Sequence, residues 1–262
     1  MLKIADERQV RILEMVREKG FVSIEHLAAH FEVTTQTIRR VVNRLCDQGL
    51  LRRIHGGVSL PVPDQNLAYQ SRQGLNLDAK RRIARAVFDF IPDGVSLMIG
   101  LGTTPEYVAR ALTGHRDLRI ITNSLSVAAA FAPNPDVEIT FAGGTLRARD
   151  RDIIGDAAVR FFSQYKADFG IFGVGGIDED GSLLDFYSGE VEARQAIAAN
   201  SRASLLVADV SKFGRNATVR GGHISDPHHF FTDKPIPPAF RGMIEQNGNE
   251  VHVAIETSER AA

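Results

Sequence analysis

The chain has 262 residues, more than one compact domain usually holds, and its 44% hydrophobic and 24% charged residues are typical of a globular protein. These values exclude a wholly disordered chain, and the single cysteine, Cys46, excludes a disulfide-stapled scaffold and favours a reducing compartment. The charged first residues and the lack of a long apolar run predict a cytoplasmic protein that does not bind a membrane.

The net charge of −1 conceals an uneven distribution along the chain. Residues 33–60 contain five arginines and one acidic residue, whereas the rest of the chain has an excess of acidic residues. Basic charge that is concentrated in one short segment is typical of a surface that binds an anionic partner.

The first sixty residues predict three helices followed by a β-hairpin. The first helix covers 6–18, and its expected apolar stripe consists of Val10, Leu13 and Val16, with Ile12 beside them. Two shorter helices are expected to begin after Ser23 and Thr34, whose hydroxyls can cap a helix. Two short extended runs around Gly56 and Gly57 then predict a hairpin.

Three helices and a hairpin predict a winged helix-turn-helix that binds double-stranded DNA. The last helix can bury an apolar stripe, and the stripe consists of Ile38, Val41, Val42 and Leu45. Its other faces carry hydroxyl, amide and guanidinium groups that can bind base edges and phosphates. The predicted DNA-binding residues are Thr35, Gln36, Thr37, Arg39, Arg40, Asn43 and Arg44 on this helix, and Arg52, Arg53 and His55 on the hairpin. The alternative is that the arginines form only a solvated surface.

The rest of the chain predicts a second domain of a different class. Residues 61–77, which begin with two prolines and are mostly polar, are predicted to link residues 3–60 to residues 78–255. Short apolar runs there alternate with helical patterns, and the runs are 95–101, 118–122, 137–141, 168–174, 204–208, 229–232 and 250–254. This alternation predicts a mainly parallel α/β sheet with helices on its faces.

The first strand of this domain leads into a sequence that can bind a phosphate group. Gly102 lets the backbone approach a ligand, and the hydroxyls of Thr103 and Thr104 stand at the start of a helix whose free amides donate to an anion. The alternative is a tight strand–helix turn without a ligand.

Further polar or glycine residues follow other strands of the predicted sheet. Because ligands of open α/β sheets bind beyond the carboxyl ends of the strands, these residues are candidate ligand contacts. They are Asn123, Gly143, Gly144, Gly175, Asp178 and Lys212. Lys212 can balance the charge of a phosphate, although an exposed surface lysine is the alternative. The histidine spacing does not predict a metal site, and no cofactor is expected.

Several motifs resemble the DeoR family of bacterial transcriptional repressors. The amino-terminal motifs are Val-Thr-Thr-Gln-Thr-Ile-Arg-Arg at 33–40 and Leu-Leu-Arg-Arg-Ile-His-Gly-Gly-Val at 50–58. The carboxy-terminal motifs include Ile-Thr-Asn at 121–123, Ala-Gly-Gly at 142–144, Phe-Gly-Val-Gly-Gly-Ile-Asp at 172–178 and Asp-Val-Ser-Lys-Phe-Gly-Arg at 209–215. The resemblance implies a sugar-phosphate-sensing effector domain that is similar in fold to ribose-5-phosphate isomerases, with Glu190 as a further ligand contact.

The chain departs from the family pattern at three places. Val41 stands where the family usually has an acidic residue, and Gly100 stands where relatives commonly have Asp or Asn. Tyr187-Ser188 replaces an Asp-Tyr pair. The changes at 100 and 187–188 remove polar groups, so we expect the phosphate to bind normally and either the ligand hydroxyls to bind weakly or a bulkier ligand to enter the vacated space.

The resemblance implies a repressor of a carbon-catabolism operon that is released from operator DNA by a small phosphorylated sugar or polyol, with glycerol 3-phosphate favoured. It also implies a homo-oligomer, either a dimer or a tetramer, because paired half-sites suit paired recognition helices. Two alternatives remain at this point: a sugar-phosphate isomerase-like enzyme, and a DNA-binding protein that responds to no ligand. Turnover of sugar phosphates would distinguish the first, and ligand titration would distinguish the second.

Overall fold

The computed structural model describes residues 2–47, 50–54, 56–59, 69–245 and 248–254. The chain forms two compact units, Met1–Leu75 and Asn76–Ala262. Their boundary lies inside the segment 61–77 that was predicted to be a linker, but this segment also contains a helix, Tyr69–Gly74. Within the described residues, none of the helices has the length and apolar character needed to cross a membrane.

The described part of the first unit contains four helices and a small antiparallel sheet. The helices are α1 (Leu2–Lys19), α2 (Ile24–His30), α3 (Thr35–Asp47) and α4 (Tyr69–Gly74). The strands are β1 (Phe21–Ser23), β2 (Arg52–Ile54) and β3 (Gly57–Ser59), in the order β1-β3-β2. The three helices and the hairpin predicted from the sequence are therefore present, and β1 adds a third strand to the hairpin.

The buried face of α1 differs from the predicted stripe. Val10 is 55% exposed, whereas Ile12 and Val16 are fully buried and Met15 is nearly so. These three residues follow the i, i+3, i+4 spacing of a helix face as well as the predicted set does, and they contact the core that contains α2 and α3. The prediction that Val10 is a core residue was wrong.

Steric constraints explain why two glycines stand in the hairpin. Gly56 has a φ of +78°, which suits the tight turn between β2 and β3. At Gly57, an added Cβ would collide with the backbone oxygen of Val22 and the ring of Phe21. Gly57 thus allows β1 to pair with β3.

The second unit is built on a seven-stranded sheet in which every neighbouring pair is parallel. The strand order is β13-β12-β10-β7-β4-β5-β6. The strands are β4 (Ser96–Ile99), β5 (Arg119–Thr122), β6 (Glu138–Phe141), β7 (Ala167–Phe172), β10 (Ser201–Val207), β12 (His229–Thr232) and β13 (Glu250–Val253). The predicted mainly parallel α/β domain is confirmed.

Helices cover both faces of this sheet, which explains its nearly continuous apolar runs. The helices are α5 (Leu77–Phe90), α6 (Thr103–Leu112), α7 (Leu125–Phe131), α8 (Asp156–Phe162), α9 (Ser188–Ala199) and α10 (Pro238–Glu245). Leu97 and Ile99 of β4 pack in the core with α5 to α7, whereas Met98 packs in the core with α8 and α9. The alternation along β4 is the two-residue period of a strand.

A second, smaller sheet lies in the same unit and was absent from the predicted elements. Its antiparallel strands are β8 (Gly176–Ile177), β9 (Ser182–Asp185) and β11 (Val219–His223). A 3-10 turn, Val210–Lys212, follows β10. Strand β9 ends immediately before α9, so this sheet brings Asp185 to the carboxyl end of the parallel sheet.

The order of the large sheet creates a crevice. From β4 the chain continues to β5 and β6 on one side, whereas β7, β10, β12 and β13 follow on the other side. Strands β4 and β7 therefore adjoin the point where the direction of winding reverses. In open α/β sheets, ligands bind outside the carboxyl ends of the strands at such a point.

Candidate functional sites

Helix α3 presents the predicted DNA-reading face to solvent. Ile38, Val41, Val42 and Leu45 are buried, and the predicted residues Thr35, Gln36, Arg39, Arg40, Asn43 and Arg44 are exposed. Among the described residues, none of the three arginines on α3 forms an ion pair. This face has the polar and basic character that major-groove recognition requires.

Thr37 differs from the other predicted contacts on α3. Its backbone N–H donates to Thr34 Oγ1 at 3.2 Å, and its own hydroxyl oxygen lies 3.0 Å from the same atom. Thr34 thus caps the helix as expected, while the Thr37 side chain is partly buried in the cap.

The wing is tied to α3 by a side-chain hydrogen bond. Arg53 Nη2 donates to Asn43 Oδ1, which joins β2 to the exposed face of α3. Arg52 is half-buried, and its Nε has no hydrogen-bond partner among the described residues. His55, a predicted wing contact, lies outside the described residues.

In the second unit, a cavity opens at the reversal point of the large sheet. Gly100 and Leu101 follow β4, and Phe172 and Gly173 lie at the end of β7. The remaining lining residues are Asn123, Asp185, Glu190, Ala193, Arg194 and Ile197. Its volume of about 20 Å³ is close to what one water molecule needs.

A buried ion pair forms one wall of this cavity. Arg194 Nε donates to Asp185 Oδ2 at 3.1 Å, and Arg194 Nη2 donates to the backbone oxygen of Gly221 at 2.6 Å. Asp185 Oδ1 accepts from the backbone N–H of Gly175 at 2.8 Å. Burial raises the pKa of the Asp185 carboxyl, although Arg194 and the Gly175 amide oppose this effect.

A second guanidinium holds the cavity residue Glu190 in place. Arg147 Nη2 donates to Glu190 Oε1 at 2.9 Å, while Arg147 Nε and Nη2 donate to the two oxygens of Asp152 at 2.7 and 2.8 Å. Burial lowers the pKa of Arg147, but the hydrogen bonds to Asp152 and Glu190 outweigh it and raise that pKa. Asp152 thus fixes the guanidinium of Arg147, and this guanidinium in turn orients Glu190 toward the cavity.

Asn123 offers a free acceptor at the cavity. Its Nδ2 donates to the backbone oxygen of Ile153 at 2.7 Å, and its Oδ1 is buried without a partner among the described residues. A buried, unpaired amide oxygen is costly, and a ligand donor would remove that cost.

Of the predicted ligand residues, Asn123 and Glu190 line this cavity, whereas Gly102, Thr103, Thr104, Gly175 and Lys212 lie next to lining residues. Gly102, with a φ of +124°, directly precedes α6, and Thr103 and Thr104 are buried in its first turn, next to the lining residues Gly100 and Leu101. Lys212 is close enough to Asp185 to lower the pKa of its carboxyl.

Three predicted ligand residues have other surroundings. Asp178 lies in the turn between β8 and β9, where its carboxylate accepts from the backbone N–H of Glu179 at 2.9 Å. Gly143 and Gly144 follow β6 and are exposed. None of the three lines the cavity.

The residues that form the charged walls of the cavity were not predicted from the sequence. Arg147, Asp152 and Arg194 were not candidates, and Asp185 was not one either, although it directly precedes Phe186 and the departing pair Tyr187-Ser188. One signal was available, because Glu190 and Arg194 stand four residues apart and so share a face of α9. The partners of Arg147 differ, because Asp152 is five residues away but Glu190 is 43 residues away.

Comparison with known proteins identifies both units. The DeoR-like helix-turn-helix domain matches residues 8–63, and the DeoR C terminal sensor domain matches residues 75–234. The glycerol-3-phosphate regulon repressor of Escherichia coli is 49% identical over 250 residues, which cover 95% of this chain and 98% of that protein.

The chain belongs to the DeoR family.

Two further comparisons cover different shares of the chain. The HTH-type transcriptional repressor CsqR of Escherichia coli is 39% identical over 93% of this chain and 94% of that protein. Among solved structures, a ribose 5-phosphate isomerase from Methanocaldococcus jannaschii is similar to part of the chain, with a TM-score of 0.39, 16% identity and coverage of 53% of this chain and 55% of that one.

As a DeoR-family member, the chain is a DNA-binding transcriptional repressor and not an enzyme, as the sequence reasoning expected. The curated repressors that it resembles extend over nearly its whole length, through both the helix-turn-helix unit and the sensor unit.

Proposed function

We propose that this DeoR-family chain represses a carbon-catabolism operon and leaves its double-stranded operator when a small phosphorylated sugar or polyol binds, with glycerol 3-phosphate as the favoured effector. The name of the 49% identical relative, the glycerol-3-phosphate regulon repressor, supports this choice of effector. The cytoplasm is the compartment in which both partners would meet the chain.

On the DNA side, the support is the exposed face of α3. Arg39, Arg40 and Arg44 carry charge that no described residue pairs, and amide side chains stand beside them at 36 and 43. Guanidinium and amide groups make paired hydrogen bonds to guanine and adenine edges, respectively. The bond from Arg53 to Asn43 keeps the wing against this face, so the two contact DNA as one surface.

On the effector side, one observation carries the proposal: the unpaired, buried Oδ1 of Asn123 at a cavity whose other walls hold Glu190 and the Asp185–Arg194 pair. Polar groups of both signs around a crevice at the winding reversal suit a ligand that has hydroxyls as well as charge. These polar groups would not be needed if the cavity were only a gap in the apolar core.

The phosphate end of the effector would lie at the first turn of α6. The backbone amides at the start of this helix have no partners within the helix, and the hydroxyls of Thr103 and Thr104 stand beside them. Lys212, which is near enough to influence Asp185, would add a positive charge. The lining residues Gly100 and Leu101 connect this turn to the cavity.

The small volume of the cavity suggests how binding changes the conformation. A space for about one water molecule cannot hold a sugar phosphate unless the walls move apart. Effector binding would therefore select a state with a wider crevice, and an oligomer, either a dimer or a tetramer, would convert that difference into a loss of DNA affinity.

The test is operator binding by the full chain in the presence of a panel of phosphorylated compounds. Glycerol 3-phosphate and larger sugar phosphates form the panel, and glycerol and inorganic phosphate are the matched controls for its two parts. We expect glycerol 3-phosphate to weaken operator binding and neither control to do so at the same concentration.

Release of the operator by inorganic phosphate alone would show that the cavity does not recognise the hydroxyls of the effector. Operator binding that no compound of the panel changes, together with no heat of binding, would reject the effector proposal and leave the DNA-binding function intact. Calorimetry on the same preparation separates these two results.

A further inference from the structure

Three potential metal ligands meet on the large sheet, apart from the effector cavity. They are His229 at the start of β12, and Glu250 and His252 on the neighbouring strand β13. In the parallel register His229 lies opposite Glu250, and Phe231 lies opposite His252. Because residues two apart on a strand share a face, all three ligands lie on one face of the sheet.

The ligand atoms form a nearly equilateral triangle. His229 Nδ1 and His252 Nε2 are 3.2 Å apart, and each of them is 3.4 Å from Glu250 Oε2. In the absence of a metal, the contact between the two imidazoles is a hydrogen bond in which one ring donates.

These distances match the coordination geometry of zinc. Zinc binds imidazole nitrogen and carboxylate oxygen at about 2.0–2.2 Å in a tetrahedral arrangement, so neighbouring ligand atoms are about 3.3–3.5 Å apart. The triangle in the structure has the size of one face of that tetrahedron. Two histidines and one carboxylate are also a known zinc ligand set, with the fourth position left for water or another ligand.

Aromatic packing holds both imidazoles in position. The ring of His252 stacks on Phe231 at 4.3 Å with an interplanar angle of 10°, and the ring of Phe90 lies 4.8 Å from His229 and 5.3 Å from His252. Burial lowers the pKa of both histidines, which favours the neutral, ligating form near neutral pH. Glu250 is 64% exposed, so the fourth position faces solvent.

We infer that His229, Glu250 and His252 form a divalent metal site that takes Zn²⁺, with solvent as the fourth ligand. The metal ties the edge strand β13 to β12 through side chains, in addition to the backbone ladder. It replaces the weak hydrogen bond between the imidazoles with two metal–nitrogen bonds and one metal–oxygen bond.

The site is distinct from the effector cavity by topology. His229 and Glu250 are the first residues of their strands, at the amino end of the parallel sheet, whereas the cavity lies at the carboxyl ends of β4 and β7. Zinc binding should therefore leave the affinity for a sugar phosphate unchanged.

The test is a titration of the metal-free full chain with Zn²⁺ against a chromophoric chelator. We expect one zinc ion per wild-type chain and an affinity that falls by more than about tenfold in His252→Gln and in Glu250→Gln. The matched control is His228→Gln, because His228 is the neighbouring residue but its ring bonds to Ser204 and not to the triangle. This control should bind zinc like the wild type.

Two further measurements make the result unambiguous. Co²⁺ bound at the same site should give the visible absorption of a tetrahedral ion, and Zn²⁺ should raise the Tm of the wild type and of His228→Gln but not that of His252→Gln. Far-UV circular dichroism checks that each variant is folded, and Glu250→Gln changes only an exposed side chain. A wild-type chain that binds no zinc at one equivalent, or a His252→Gln variant that binds it equally well, would overturn the site.

Discussion

At the scale of single residues, Gly100 shows how one missing side chain shapes the effector cavity. A Cβ at this position would lie 2.9 Å from Ile197 Cδ1 and in ordinary contact with Ile171 O and Phe172 Cβ. The crowded atom is the end of a flexible side chain, so Ile197 can give way. A side chain at position 100 would reach the cavity that Gly100 lines, beside two carboxylates.

We therefore expect Gly100→Asn to bind glycerol 3-phosphate more tightly than Gly100→Ala, by about threefold to tenfold, because only the amide can bond a ligand hydroxyl. Alanine is the matched control, since it introduces the same Cβ and the same crowding of Ile197. Calorimetry on both variants and on the wild type measures the difference. Equal affinities of the Asn and Ala variants would mean that position 100 does not face the ligand.

Asp93 provides a pH-dependent contribution to stability outside the cavity. Its carboxylate accepts from the backbone N–H of Arg116 at 3.1 Å and contacts His115 Nδ1 at 2.7 Å, and these bonds, with a weaker one from the Arg116 side chain, lower its pKa to about 2. A carboxyl whose pKa is lower in the folded state stabilises the fold above its unfolded pKa of about 3.9, and this contribution is lost as the pH falls toward 2.

The free energy of unfolding of the wild type should accordingly exceed that of Asp93→Asn above about pH 5, and the difference should shrink as the pH falls toward 2 and vanish only below it. Urea unfolding of both proteins across this range measures it. A difference that persists unchanged at the acid end would assign the effect to packing and not to the ionised carboxylate.

At the scale of elements, helix α3 combines one buried face with one exposed basic face. The prediction that belongs here is that Arg40→Ala weakens operator binding by about 1–3 kcal/mol and leaves sugar-phosphate affinity unchanged. If Arg40 contacts a base, the variant loses discrimination at one operator position. If it contacts a phosphate, all sequences weaken alike and the salt dependence becomes flatter.

Arg11→Ala is the matched control for this measurement. Arg11 is also an exposed arginine of the first unit, but it lies on α1 and pairs with Glu14 at 2.9 Å. An Arg40→Ala variant that binds the operator as tightly as Arg11→Ala does would reject α3 as the recognition helix.

The start of α6 is the second element with a prediction of its own. The double variant Thr103→Ala/Thr104→Ala and the single variant Lys212→Ala should each bind the operator normally but fail to release it on addition of glycerol 3-phosphate. Because a charge-assisted bond is about twice as strong as a neutral one, Lys212 should be the costliest single change.

Lys234→Ala, at an exposed lysine of the same unit, is the control for the loss of positive charge. Operator release by glycerol 3-phosphate is measured for all variants. A normal response of the double threonine variant would mean that the phosphate does not bind at the start of α6.

At the scale of the whole molecule, operator DNA and the effector must change each other's affinity by the same factor. If glycerol 3-phosphate lowers operator affinity by a given factor, operator DNA must lower the affinity for glycerol 3-phosphate by the same factor. Calorimetric titration of the effector, with and without saturating operator, gives one factor, and operator binding with and without effector gives the other. Unequal factors would show that the operator is lost through a different process, such as a change in oligomeric state.

The sequence predicts the periodic parts of this molecule well and the non-local parts poorly. The parallel strands and most helices follow from apolar patterns of period two and 3.6, because each pattern lies within one segment. The small sheet of β8, β9 and β11 was missed, since one strand has two residues and β11 pairs with a distant segment. On α1 the apolar pattern fits two faces, and only packing against α2 and α3 selects Ile12 over Val10.

The difference between local patterns and non-local contacts also explains which site residues were not predicted. Asn123 directly follows β5 and Thr103 stands four residues after the end of β4, so the general rule for α/β sheets finds them. Asp152 lies five residues from Arg147, but Glu190 lies 43 residues from it, and His229 and His252 stand on separate strands, so no local spacing indicates either complete cluster. These groups become neighbours only when the sheet order is known.

The amide of Asn123 has a consequence for the chemical selectivity of the sensor. Its Nδ2 is committed to the Ile153 carbonyl, which prevents the amide from turning over, so the cavity always meets a ligand with an oxygen acceptor. The doubly ionised phosphoryl group of a phosphate monoester brings only further acceptors and would gain nothing there, whereas an alcohol brings an O–H proton that the oxygen lacks. Under the proposed function, Asn123 would therefore favour a ligand that carries a hydroxyl, and a deoxy analogue of the effector would leave the oxygen unpaired and bind more weakly.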